Sequence, residues 1–119
     1  MSTLRVNNIT DTSGGNTNLN VPNTAKAWVN FNGVGTVAIR AQFNVSSITD
    51  NATGNYTVNF TTALTDENYA AVGTLGQTGS VVILRVIAGS QTTSSCDFLS
   101  NNTSTTATDA TYVNIAFFR

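Results

Sequence analysis

The side chains able to do covalent or acid–base chemistry are few and poorly matched. The chain of 119 residues holds no His, one Cys and six carboxylates. Ser and Cys nucleophiles need a neighbouring base, most often His, so that chemistry has no obvious partner. Cys96 cannot form a disulfide within the chain. A reactive thiol wants a cationic neighbour, yet the nearest charge in sequence is Asp97, which raises a thiol pKa. Cys96 therefore reads as a small buried hydrophobe in a strand. The carboxylates are Asp11, Asp50, Asp66, Glu67, Asp97 and Asp109. A glycosidase needs two of them flanking a cleft, about 5–10 Å apart. All but Asp97 fall in turn-like segments, where such residues are turn formers. Asp97 sits in a predicted strand without an identifiable partner. The adjacent pair Asp66-Glu67 reads as the cap of a short helical turn. Gly33-Val34-Gly35 lacks the rest of a dinucleotide fingerprint and a following helix. Zinc needs several Cys or His ligands, and Asp50, Asn51 and Asn55 do not match the spacing of an EF-hand calcium loop. No catalytic, cofactor-binding or metal residues are assigned, and an enzyme is not expected.

Binding is the chemistry that remains. Trp28 is the sole Trp, and Tyr56, Tyr69 and Tyr112 are the three Tyr. Each reads either as packing, in the core or against another chain, or as a platform for the apolar face of a sugar. Trp28 is opposite in parity to Val29 and Phe31, so a strand here sets it on the other face of the sheet. If that face is open, sugar contact gains weight; if it is covered, Trp28 is an assembly residue.

The composition favours a sheet protein. Charged residues make up 9% of the chain, against about 25% in typical globular domains. Asn, Thr, Ser and Gly supply the polarity, leaving little like-charge repulsion to oppose contact between identical copies. A net charge of −1 offers no basic patch for nucleic acid. No apolar run reaches the roughly 18 residues of a membrane helix, and no signal peptide is readable. Membrane insertion is not expected, nor is glycosylation at the several Asn-x-Ser/Thr triplets, which follow from composition alone.

These side chains need a sheet to position them. From Ala25 the sequence runs AKAWVNFNGVGTVAIRAQFNVSSITDNATGNYTVNF, alternating segments cut by turn residues. Val29 and Phe31 alternate with Asn30 and Asn32. Val37, Ile39, Ala41 and Phe43 alternate with Ala38, Arg40 and Gln42. After Ser46-Ser47 a turn is expected over Asp50 to Asn55, before Tyr56, Val58 and Phe60. Period-two alternation bounded by Gly, Asn and Asp is the signature of strands. Further strands are predicted over Tyr69 to Leu75, Ser80 to Ala88, Ser94 to Leu99 and Ala110 to Arg119. The stretch SVVILRVIA is the most apolar, and such a run suggests burial on both faces. A sandwich covers only one, so Val81, Ile83, Arg85 and Ile87 are expected at a subunit interface. Ser100 to Asp109, without a large apolar residue, reads as a surface loop. Residues 1–24 are sparse in apolar groups, with Leu4, Val6 and Ile9 as the anchors of an extended attachment leader, and Pro22 marks its boundary. The expected architecture is all-β: an antiparallel, jelly-roll-like sandwich of seven to eight strands over 25–119, with a leader over 1–24.

The words STLRVNNITDTSGG, AKAWVNFNG, GTVAIR, FNVSSITDN, YTVNFTTAL and the terminal YVNIAFFR resemble a β-head module of bacteriophage tail-fibre and other small virion proteins, cyanophages and marine phages especially. The resemblance runs nearly the whole chain. Where the family usually has Pro before Asp66, this chain has Thr65, leaving Asp66, Asn68 and Tyr69 in place. The resemblance implies a homotrimeric tail-fibre head, assembled in the host bacterial cytoplasm and carried on the virion. Its implied partners are itself, a fibre shaft, baseplate or capsid, and host-surface carbohydrate. A trimeric capsid decoration or cement protein is the alternative.

Overall fold

The structure, a computed structural model, describes residues 2–3 and 24–119. Leu4, Val6 and Ile9, and with them nearly all of the expected leader, lie outside the described residues. Eight strands follow in order: β1 (Ala25–Asn32), β2 (Ala38–Phe43), β3 (Val45–Ala52), β4 (Asn55–Phe60), β5 (Ala70–Gly76), β6 (Val82–Val86), β7 (Ser95–Asn102) and β8 (Tyr112–Phe118). They form two four-stranded antiparallel sheets, β2-β1-β8-β5 and β3-β4-β7-β6. The chain is an all-β sandwich with no helix among the described residues. Its connectivity refines the jelly-roll-like expectation, because β1–β2, β3–β4 and β6–β7 are sequential pairs within one sheet.

The alternation read from sequence builds the core. Ala27, Val29 and Phe31 of β1 and Val113, Ile115 and Phe117 of β8 turn inward from one sheet. Tyr56, Val58 and Phe60 of β4 and Cys96 and Phe98 of β7 meet them from the other. Phe117 sits at the centre of an edge-to-face cluster, its ring 4.8 Å from Phe60, 5.7 Å from Tyr69 and 5.8 Å from Phe98. Such T-shaped pairs set a positive ring edge against a negative ring face and add to the burial of apolar area.

Several local expectations are corrected. The chain changes sheet at Asn44, and the turn expected over Asp50 to Asn55 narrows to Thr53-Gly54, because Asp50, Asn51 and Ala52 belong to β3 and Asn55 to β4. Asn44 holds a positive φ of 54°, a conformation that Asn tolerates better than most residues. Its amide donates to the Lys26 and Thr62 carbonyls at 3.1 and 3.0 Å, and its Oδ1 accepts from the Thr62 amide at 2.7 Å. In β2 the register slips between Asn30 and Phe31, leaving Arg40 as the extra residue of a bulge. The slip splits the alternating set: Ala41 and Phe43 pair with Asn30 and Trp28, whereas Ile39 pairs with Phe31. Asp66 caps no helical turn. It accepts from the Asn68 amide at 2.8 Å, and Arg119 grips it with two bonds of 2.8 and 2.7 Å. The segment Ser100 to Asp109 is only partly a surface loop, since Ser100 and Asn101 lie in β7 and are buried.

The pole where β1 ends is clasped by Asp109. Its carboxylate accepts from the Tyr56 hydroxyl and from the Gly54 amide, each at 2.7 Å. The Tyr56 hydroxyl also lies 3.0 Å from the Gly33 carbonyl. Gly54 has φ +68°, and a Cβ there would stand 2.4 Å from the Ser100 carbonyl oxygen. Only Gly fits that approach.

Candidate binding face

The outer surface of β1, β8 and β5 carries a groove of about 440 Å³. Strand pairing explains its make-up. Trp28, Ala116 and Val72 stand opposite one another across the three strands, as do Asn30, Asn114 and Thr74. Because side chains two apart share a face, these are neighbouring rows on one surface. The first row is apolar, with the small Ala116 between Trp28, 38% exposed, and Val72, 53% exposed. The second is polar and linked. The Asn30 amide donates to Asn114 Oδ1, and the Asn114 amide donates to Thr74 Oγ1 at 3.3 Å. Gly73 lets β5 lie close beneath: a Cβ on it would stand 2.5 Å from Leu84 Cδ2 and 2.6 Å from the Asn114 carbonyl oxygen. Among the described residues, no charged side chain lines the groove.

Of the four aromatic candidates, the fold brings Trp28 and Tyr112 to this face and takes the other two away. Tyr112, 51% exposed, lies further along β8, and the Arg40 guanidinium sits 4.3 Å from its ring centroid. That stacking is a cation–π contact, and it gives the bulged Arg40 a role that sequence reasoning missed. Tyr56 and Tyr69 are core residues of the chain and present no ligand surface. The Tyr69 hydroxyl lies 3.1 Å from the carbonyls of Thr92 and Ser95. Burial pushes both phenols well above the ordinary tyrosine range, and Asp109 beside Tyr56 and Cys96 beside Tyr69 push the same way. Burial likewise raises the Cys96 thiol to about 11, partly offset by hydrogen bonding with Tyr69 and Ser90. The thiol therefore stays protonated near neutrality, as an inert packing group does.

The expected interface residues lie around β6, an edge strand. Val82, Leu84 and Val86 are half-buried, and Val81 and Ile83 are 69% and 51% exposed. Arg85 is exposed on the Ile83 side, its Nε 3.4 Å from Asn101 Oδ1. Ile87 is half-buried, and its amide donates to the Asp97 carbonyl at 2.9 Å. The strand is thus apolar on both sides, but only one side meets the subunit's own core.

The fold defines an all-β sandwich with one aromatic-lined outer face. Compared with protein-family models, curated proteins and solved structures, the chain matches none.

Proposed function

We propose that the chain is a bacteriophage virion structural protein: a homotrimeric tail-fibre head exposed on the particle, contacting host-surface glycans and performing no catalysis. The observation that carries the assembly half is the β6 edge. Val81 and Ile83 stand in solvent beside unpaired edge-strand backbone, a combination that invites another chain. Burying these residues with Arg85 and Ile87 against two further copies removes that liability. The low charge of the chain, 9%, lowers the electrostatic cost of bringing copies together. The host-contact half is supported by the Trp28 face, which lies on the other sheet from β6 and carries exposed apolar side chains.

The test is the mass by light scattering at micromolar concentration, together with immunogold labelling of purified particles. A trimeric mass and tail labelling are expected. A monomeric mass overturns the assembly reading, and hundreds of copies over the head replace the fibre with a capsid decoration protein.

A further inference from the structure

The groove on the outer face of β1, β8 and β5 has a chemistry specific enough to name a ligand class. We propose that it binds an uncharged pyranose, with the apolar face of the ring against Trp28, Ala116 and Val72 and the hydroxyls on Asn30, Asn114 and Thr74. This rests on the reading of the chain as a host-contacting head, and it adds the site and the class of sugar.

A pyranose is amphipathic, with C–H groups on its faces and hydroxyls around its rim. The groove offers the same division. One row is apolar and the next is amide and hydroxyl, and two residues of strand separate them by about 6.8 Å, roughly one sugar ring.

The polar row is oriented before any ligand arrives. The Asn30 amide is fixed by Asn114 Oδ1, and the Asn114 amide by Thr74 Oγ1. Asn has a carbonyl acceptor and two N–H donors, so this relay leaves capacity over. Among the described residues, no protein group bonds to Asn30 Oδ1, takes a second proton from either amide, or takes the Thr74 hydroxyl proton. Groups already held in place lose little entropy on binding.

Charge sets the class. None of the lining residues is a cation, and the Arg40 guanidinium further along the face is stacked on Tyr112, so within the groove the carboxylate of an acidic sugar or a phosphate would exchange water for amides and hydroxyls alone. A volume of about 440 Å³ lies within the usual range of small-molecule sites. A second copy of the chain is a poorer occupant, because it would bury the amide–hydroxyl row at the centre of a contact and have to satisfy each group there.

Trp28 is the sole Trp, so fluorescence excited selectively at tryptophan, beyond the absorption of the three Tyr, reports on this groove. The full chain is titrated with methyl α-glucopyranoside, methyl β-galactopyranoside, N-acetylglucosamine and N-acetylneuraminic acid. A saturable change with at least one neutral sugar and none with the acidic one is expected. Asn114→Ala and Thr74→Val weaken it about tenfold each, the scale of one lost hydrogen bond, and Ala116→Leu fills the floor and abolishes it. Circular dichroism checks the fold of each variant. Saturation-transfer difference NMR on the unaltered chain gives a second reading that needs no variant. The inference is overturned by any one of four results: no saturable response to a neutral sugar at about 100 mM, far above the millimolar range of weak binding; an equal response to the acidic sugar; full binding by a folded Ala116→Leu chain; or a Trp28 signal that follows protein dilution, which would make the groove a contact between copies. Particle labelling and mass decide the wider reading separately. A tail-borne trimer blind to sugars sinks the inference alone, and a sugar-binding chain absent from particles sinks the virion reading alone.

Discussion

The two outer faces of the sandwich are built from similar polar residues and differ in how those residues are used. On the β3–β4–β7 face, Asn51 donates to Thr57 Oγ1 at 2.9 Å and Thr57 donates to Asp97 at 2.7 Å. Asn59 donates to Ser47 Oγ at 3.2 Å and to Thr49 Oγ1 at 3.0 Å. These side chains bond one another across neighbouring strands, where such pairs stabilise the sheet. On the β1–β8–β5 face the polar row is shorter and lies in a groove beside exposed apolar side chains. A surface rich in Asn and Thr is therefore not by itself a binding surface. What matters is whether the polar row adjoins exposed apolar surface in a groove.

The contrast requires that one core support both faces. Phe117→Ala removes the hub of the aromatic cluster and should cost about 3–5 kcal/mol, seen as a lower urea midpoint in which Trp28 fluorescence and far-ultraviolet circular dichroism shift together. Separate transitions would mean that the two sheets unfold independently. Ile83→Asp places a charge on the exposed side of the β6 edge. It should move the light-scattering mass toward the 12.5 kDa subunit while leaving Trp28 emission unchanged, and a coupled change would join the two surfaces into one. Thr57→Val breaks the ladder of β3, β4 and β7 and should destabilise by about 1 kcal/mol with no effect on sugar titrations. Asn114→Ala should show the reverse, with a smaller loss of stability and a clear loss of ligand response. If the two variants behave alike, the distinction between the faces fails.

The smallest effect concerns neither face. The Arg119 guanidinium, followed by the Asn68 amide, holds the Asp66 carboxyl at about 2, below its ordinary 3.8. A depressed carboxyl stabilises the fold above its unfolded pKa, and that contribution fades as pH falls through the folded one. Between about pH 4 and 2, Arg119→Gln should therefore show a shallower acid loss of melting temperature than the unaltered chain. The pair is exposed, so the difference should be slight.

Much of this was legible in local pattern. Alternation set Trp28 on the opposite face from Val29 and Phe31 without saying which was covered, and the same period located seven of the eight strands to within a few residues, missing β3. The apolar run at β6 was visible, but its edge position was not, because strand order depends on pairings far apart in sequence. The polar row has the same origin: Asn30 and Asn114 meet only because β1 pairs with β8. The Asp109 clasp and the Asp66–Arg119 pair each join residues more than fifty positions apart. Two corrections did leave local signals. Asn44 is a residue type that tolerates left-handed backbone, a local mark of the corner between β2 and β3. Arg40, a charge inside an otherwise apolar alternation, is where the bulge falls.

Ala25 pairs with Phe118, so the described head begins and finishes at one end, while Gly33, Gly54 and Asp109 gather at the other. A load entering at Thr24 with the far pole held runs lengthwise along β1 and sets its hydrogen bonds to β2 and β8 in shear, many at once. The same load drawn between Thr24 and Arg119 peels β1 from β8 one rung at a time. The molecule is thus mechanically polar: tough when tugged from its base against something gripped beyond it, and weak when its two ends are parted.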